Sequence, residues 1–488
     1  MQQVIDLDPV LLRYAAALRG VVPPMPEAPF HYVRWGMPDQ AAALSLAASN
    51  PEGQFSFIVA DEPIRQMAEQ LRQKLRLKNC VFLRPEEATG LRQIQFLCAD
   101  LRGAAAADMA TLQALAGAAL APGGFFACQY APFASGQDGL HFMAAEFAPE
   151  MTAAQRQEYL TELQQLGAHY FKRRPTAAQA LTAAIANQAA DDYLQQHGAG
   201  QPTQSVTVQM IAGMTAQGCS FVGDATVQAN YLEMMVPAAA QPLLGTLRLH
   251  LLYEVIKDFA TDRASRADIW VKQPATVSSD LAALFGPFYF GLSDAGAGEA
   301  PQVTLHGQTL DLTTPIFQAW LTLLRLMPLT IGDFLSHPQA AGFAPQDAVM
   351  AINTLVAFQV ALPMRSSFSG MGRADISYPR LAGGYNQQLQ QQNLAEATVL
   401  LASPVAGRPV QATLSEALVL QAVGRVGLAE SADALMPELQ RLAGNPALAS
   451  QLFTQCPDIA PDFVETMIRD VCRQRMPNWY VLGILDAA

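Results

Sequence analysis

Charge is scarce in this chain, and positive charge scarcest. Of 488 residues 15% are charged, 30 basic against 42 acidic, for a formal net charge of −12. Such a chain repels phosphate backbones, so nucleic acid is not an expected partner. The one dense basic cluster, Lys172-Arg173-Arg174, is too narrow for a phosphate-binding face. It reads as a helix end whose cations complement the dipole. Cysteine is sparse too. The six, Cys80, Cys98, Cys128, Cys219, Cys456 and Cys472, include no CxxC pair. Most sit in apolar runs and read as buried free thiols, neither disulfides nor zinc ligands. The seven histidines show no HxH or HxxxH spacing, so no metal site is expected. No apolar run reaches the ~18 residues that a membrane-spanning helix needs. Met1 to Asp6 has neither a basic nor an apolar targeting region. The expectation is a cytoplasmic protein without membrane insertion. GxSxG is also missing, so Ser366 to Gly372 is a loop and not a nucleophile elbow.

What the chain does have is apolar mass. It is 51% hydrophobic with a mean hydropathy of +0.14, enough for several buried cores. At roughly 150 residues per domain, its length suits about three domains. Between 30 and 130, short apolar runs alternate with helical stretches. Strands are expected at His31–Trp35, Gln54–Val59, Asn79–Leu83, Ile94–Cys98 and Phe125–Tyr130. Helices are expected at Ala41–Ala48 and Pro63–Leu77, the second with Ile64, Met67, Leu71 and Leu75 along one side. Alternation of this kind implies βαβ units and a mainly parallel sheet. A helical stretch rich in Gln and Ala extends to 200, then short strands and a long helix at Leu247–Phe259. Pro287, Gly291, Gly296 and Gly298 mark a boundary. Beyond it, His306-Gly307 is a two-residue turn between Gln302–Leu305 and Gln308–Leu312. Helices at 315–327, 330–336 and 345–359 and a strand at 360–364 complete a winged-helix-like order. The last hundred residues read as mostly helical, with Gln387–Gln392 a polar linker or exposed helix.

In a nucleotide-binding βα unit, a Gly-rich turn after the first strand lets backbone N–H groups approach the ligand. An acid at the end of the second strand takes the ribose hydroxyls. The matching positions are Gly36 and Asp39 in the turn and Asp61 after the second strand.

The stretch Tyr32–Ala47 resembles the first motif of the class I S-adenosylmethionine-dependent methyltransferases that carry a methyltransferase regulatory domain. That motif runs hydrophobic strand, Glu, Leu, Gly, Cys, Gly, Asp, Gly, then helix. Gly36 and Asp39 match it, whereas Arg34, Pro38 and Gln40 stand for the Glu and the later glycines. Asn50 to Phe55, Pro63, and Leu120-Ala121-Pro122-Gly123-Gly124 are similar to later segments. Tyr130 matches the tyrosine of a Ser-Tyr-Asn stretch, with Gln129 and Ala131 beside it. Asp100-Leu101-Arg102-Gly103 stands where the family has a His-Gly and Ser-Trp element. The most specific likeness is Tyr253–Trp270, where Glu254, Asp258, Phe259, Arg263 and Arg266 fall on the regulatory domain's signature. Gly218 to Ala225 and Asp192-Tyr193-Leu194 resemble other parts of it. Pro315–Pro328 and the winged-helix order after it resemble the third domain of bacterial lysine methyltransferases that modify outer-membrane proteins. The acids and arginines of the signature have a second reading, in which Arg263 and Arg266 pair with Glu254 and Asp258 and pin a helix to a sheet.

The resemblance implies an α/β plus α+β fold. It comprises a Rossmann-like methyltransferase domain at 1–150, a helical connector at 151–200 and a regulatory domain at 201–278. A winged-helix-like domain at 279–385 and a helical region at 386–488 complete it. S-adenosylmethionine would meet Gly36, Asp39 and Asp61, with Tyr130 as the catalytic candidate. Pro38 lacks an N–H donor and fixes φ. Arg34 puts a cation where an acid usually faces a cationic ligand. Like charges about 4 Å apart at an effective dielectric of ~20 repel by roughly 4 kcal/mol, about three decades of affinity. The expectation is therefore a catalytically degenerate binding or regulatory subunit of a protein-methylation system. It would act on a protein substrate or beside an active paralogue, as a homo- or hetero-oligomer. The alternative is an active protein (lysine) N-methyltransferase, since methyl transfer asks for little beyond alignment in a dry pocket.

Overall fold

The structure, a computed structural model, describes residues 7–24, 28–36, 39–102, 106–133, 139–148, 151–198, 205–247, 250–293, 300–367, 380–389, 398–426 and 470–486. Its centre is a seven-stranded sheet of β1 (Phe30–Trp35), β2 (Gly53–Ile58), β3 (Cys80–Leu83), β4 (Ile94–Asp100), β5 (Leu120–Tyr130), β6 (Cys219–Asp224) and β7 (Arg266–Lys272). The spatial order is β3-β2-β1-β4-β5-β7-β6. The first five strands run parallel, and β7 lies antiparallel between β5 and β6. Alternate residues feed two cores, as a sheet covered on both faces requires. Phe30, Tyr32, Phe55, Phe57, Phe96 and Phe125 fill one side, while Val33, Ile58, Leu97, Phe126 and Trp270 fill the other.

Helices α1 (Pro9–Ala17), α2 (Gln40–Ser49), α3 (Glu62–Lys74) and α4 (Ala106–Ala119) flank this sheet. α2 is small and apolar all round, and it is buried above as well as below. The hairpin of β13 (Thr398–Ser403) and β14 (Arg408–Thr413) packs over it. Asn50, at its end, bonds the carbonyl of Gly407 in that hairpin at 2.8 Å. α3 departs from expectation. Leu75 is buried after it and Leu71 packs on the core, but Ile64 and Met67 are exposed by 38% and 58%. β3 is the edge strand, so the sheet ends beneath that half of the helix.

Residues 201–278 supply β6 and β7 to this same sheet. They also supply α10 (Val206–Ala216), α11 (Leu232–Met235), α12 (Gln241–Thr246) and α13 (His250–Thr261). Before them, α5 (Gly139–Phe147), α6 (Ala153–Gln165), α7 (His169–Arg173), α8 (Pro175–Ala186) and α9 (Ala190–His197) form a layer. It closes with α13 on its own core around Phe259. α14 (Leu281–Phe285) and β8 (Tyr289–Leu292) come next. The hairpin of β9 (Gln302–Leu305) and β10 (Gln308–Asp311) turns at His306 and Gly307, both at positive φ, as expected. α15 (Pro315–Leu324), α16 (Ile331–Ser336) and α17 (Pro345–Ala357) pack around Trp320, which stacks on Phe334 at 3.8 Å. β11 (Ala361–Met364) then pairs with β8, and the short β12 (Arg380–Leu381) follows.

Within 386–488, expected to be mostly helical, one hairpin stands beside the helices. Alongside α18 (Gly383–Leu389) and α19 (Leu414–Val426), the described part contains the full β13–β14 hairpin. Thr398, Val399 and the apolar run after them suit a strand, and Gly407 takes the positive φ that its turn needs. Residues 427–469, with Cys456 among them, and the stretches Phe368 to Gly372 and Gln390 to Gln392 lie outside the described residues. The five described cysteines are free, four of them buried. Among the described residues no helix is long and apolar enough to cross a membrane.

Burial sorts the apolar side chains by consequence. Trp270→Ala is expected to cost about 3–5 kcal/mol, because it empties a closed site in the core on one face of the sheet. Met67→Ala should stay within about ±0.5 kcal/mol despite its place in the apolar pattern of α3. Chemical denaturation of the two variants checks the contrast.

Candidate functional site

The parallel strands carry the sequence candidates to one edge. Gly36 follows β1, and its N–H donates to Ile58 O at 2.9 Å. Its φ of +82° favours glycine, while an added Cβ would meet nothing within 4 Å, so the space above it is open. Asp39 sits at the N-cap of α2. One carboxylate oxygen accepts from Ala41 N and the other from Ala42 N, both at 3.1 Å. Asp61 caps α3 by accepting from Ile64 N at 3.0 Å. Both acids thus satisfy helix amides that would otherwise lack partners. Met37 and Pro38 lie outside the described residues.

Arg34 is buried near the end of β1 and lines a cavity of about 20 Å³ with Leu7, Asp8, Ala43, Leu46 and Pro409. That volume admits about one water molecule. At the end of β4, Asp100 holds Arg102 through bonds of 2.6 to 3.1 Å. Burial pushes the Asp100 carboxyl up, but its bonds to Arg102 and the charges of Arg102 and Arg34 hold it below its ordinary range. A shallow groove of about 430 Å³ lies at the opposite edge, among Pro29, Phe30, His31, Gln54 and Gln95 at the strand starts. Among the described residues, no group of three or more His, Cys, Asp or Glu is placed to hold a metal ion.

Tyr130 also ends its strand at the carboxyl edge, but its hydroxyl is engaged elsewhere. It donates to Asp268 Oδ2 at 2.5 Å inside a buried charge network. Arg266 is the centre of that network. Its Nη2 lies 2.6 Å from Glu254 Oε2 and 2.8 Å from Asp268 Oδ1, and its Nη1 2.9 Å from Asp258 Oδ1. Lys257 joins Glu254 at 3.0 Å, and Thr207 Oγ1 donates to Asp258 at 3.0 Å. Arg266 therefore pins α13 to β7. Arg263 goes instead to Asp224 on β6, at 2.5 Å. Asp268 was not among the sequence candidates. Its signal was an acid two residues from an arginine in an otherwise apolar strand, the spacing that puts both on one face.

Four carboxylates (Asp224, Glu254, Asp258 and Asp268) here face three cations (Lys257, Arg263 and Arg266). Asp268 takes the surplus. Burial first, then the charges of Asp224 and Glu254, raise its carboxyl to about 7 against the pull of Arg266. Burial also raises Glu254, but Lys257 and Arg266 outweigh it and hold that carboxyl far below its usual range. The Tyr130 hydroxyl is raised by burial and by Asp268.

Residues 200–272 match the model of the predicted methyltransferase regulatory domain, a span that includes every charged member of this network. No curated protein matches the chain. Among solved structures, PKMT2 from Rickettsia typhi in complex with AdoHcy aligns over 98% of both chains, with a TM-score of 0.58 and 11% identity. A second structure of PKMT2 from the same organism aligns over 98% of both chains, with a TM-score of 0.58 and 14% identity. The chain has the fold of class I S-adenosylmethionine-dependent methyltransferases and carries a methyltransferase regulatory domain.

The network makes two expectations testable. Arg266→Met removes one charge and leaves three buried carboxylates without their shared partner, at a cost of about 3–5 kcal/mol. For pH the signs differ within the network. The raised Asp268 contributes stability that is full below its unfolded value, near 4, and is lost as pH rises through about 7. The depressed Glu254 contributes stability present above its unfolded value and lost as pH falls. Asp268→Asn should therefore flatten the loss between about pH 4 and 7 while leaving the acid side intact, as read by thermal unfolding across pH.

Proposed function

From a chain with this fold and this regulatory-domain segment, we propose a catalytically degenerate methyltransferase-like protein, serving as a binding or regulatory subunit of a protein-methylation system. The observation that carries the reading is at Asp39. Both of its carboxylate oxygens are spent on the first amides of α2. Asp61, the ribose-binding candidate, is given to α3 in the same way. Behind them Arg34 occupies the position of the family's acid, in a wall with room for one water. An acceptor-poor edge with a buried cation beneath it does not fit a cationic sulfonium ligand. Its partner on this reading is an active methyltransferase paralogue or the protein to be methylated, within a homo- or hetero-oligomer.

A second reading keeps activity, as a protein lysine N-methyltransferase. Gly36 favours it, because the left-handed glycine and the open space above it are what a backbone-lined ligand turn requires. So does the alignment along 98% of PKMT2, a protein whose structure holds AdoHcy.

Calorimetric titration with S-adenosylmethionine and S-adenosylhomocysteine separates the two. The degenerate reading expects no heat of binding at micromolar concentrations, and micromolar affinity for either compound overturns it. Arg34→Glu/Pro38→Gly then locates the loss. Recovered binding traces it to the turn, and continued silence traces it to the pocket beyond.

A further inference from the structure

Four distant segments meet at a seam beside α2. α1 brings Arg13, and the residue capping its start is Asp8. The turn between α2 and β2 brings Asn50 and Glu52. Arg365 follows β11, and the β13–β14 turn brings Gly407 and Arg408. Some pairs close directly. Arg365 Nη1 lies 2.7 Å from Glu52 Oε2, and Arg408 Nη1 lies 3.7 Å from Asp8 Oδ2.

The remaining polar atoms do not close. Arg13 is wholly buried, and none of its three guanidinium nitrogens has a hydrogen-bond partner. Its plane is fixed over two aromatic rings, 5.1 Å from the centroid of Phe30 and 5.0 Å from that of Phe96. Asp8 Oδ2, Asn50 Oδ1, Glu52 Oε1 and Arg408 Nε are likewise buried without hydrogen-bond partners. They are neighbours. A Cβ on Gly407 would stand 3.0 Å from Arg365 and 3.3 Å from Asn50 Oδ1. Burial lowers the Arg13 guanidinium to about 10, with the charges of Glu52 and Asp8 opposing. The cavity of about 20 Å³ beside Arg34 opens on Asp8 and Pro409 in this same place.

A shortage of acceptors alone would select an anion, and a shortage of donors alone a cation. Here buried donors and buried acceptors are both left over within one seam. An anion that met Arg13 would be repelled by Asp8 and Glu52, and a cation that met those acids would be repelled by Arg13, Arg365 and Arg408. Water donates and accepts, and takes two to four polar partners of this type. We propose that this seam is an internal hydration site, with one ordered water in the cavity at Asp8 and others bridging Arg13 to Glu52 and Asn50. The β13–β14 hairpin is then joined to the sheet through water as well as through direct bonds.

A high-resolution crystal structure of the full chain after a bromide soak tests this. The expected result is water oxygens within about 3.2 Å of the Arg13 guanidinium and of Asp8 Oδ2 or Glu52 Oε1, with no anomalous signal there. A direct Arg13–Glu52 pair with no water between them overturns the proposal. A bromide peak on Arg13 overturns it in favour of an anion site. In solution, oxygen-17 relaxation dispersion counts long-lived internal waters. Arg13→Met keeps an unbranched apolar stem between the rings and should lower that count. An unchanged count in the folded variant contradicts the proposal, and the native crystal decides alone if the variant does not fold.

Discussion

Arg266 is the constraint on which the carboxyl half of the sheet depends. A guanidinium with no exposed surface must be compensated where it sits, since the cost of stripping it of water is far larger than any single bond returns. It finds Glu254 and Asp258 one helical turn apart on α13, and Asp268 two residues along its own strand. Asp268 in turn engages Tyr130 on β5. One charge therefore fixes three elements. β7 cannot slide against β5 without turning Arg266 and Asp268 to the opposite face. α13 cannot lift without leaving a cation among bare carboxylates. The family signature at 200–272 is, in this chain, the part that closes the sheet.

The carboxyl edge is organised by a different economy. Asp39 and Asp61 end their connecting turns by capping α2 and α3, whose first amides they satisfy. α2 is further committed by the hairpin above it. Ser403 N donates to Ser49 Oγ at 3.1 Å, and Asn50 holds Gly407. Gly36 is thus followed, after Asp39, by a helix held by the sheet on one side and by the hairpin on the other.

Much of this was legible in the sequence, for identifiable reasons. The strands of the sheet announce themselves because both faces are buried, and runs such as QFSFI and IQFLC follow from that. Arg266 and its acids were visible as a charged pattern in apolar surroundings. Arg263 was misplaced because spacing along a helix cannot reveal a partner on β6, which lies 39 residues earlier in the chain. Ile64 and Met67 misled because periodicity reports a stripe without saying whether anything lies under it. The β13–β14 hairpin was missed in a region rich in Ala, Leu and Gln, whose helical composition masked Thr398-Val399. Arg13 gave a faint signal, one cation in PVLLRYAAA. Its significance depends on Arg365 and Arg408, which the chain brings back to it only near its far end.

The two economies are independent, so the charge network that fixes the far half of the sheet does not rest on the chemistry of the Gly36 turn. Here the charges that fix β7 and α13 are separated from β1 in the sheet by β4 and β5. Arg34 is absorbed into the packing under α2 beside Asp8 and Pro409. The sheet can thus carry a cation at the end of β1 at no cost to the network around Arg266. Asp39 meets the demand of helix capping whether or not a ligand ever sits above Gly36.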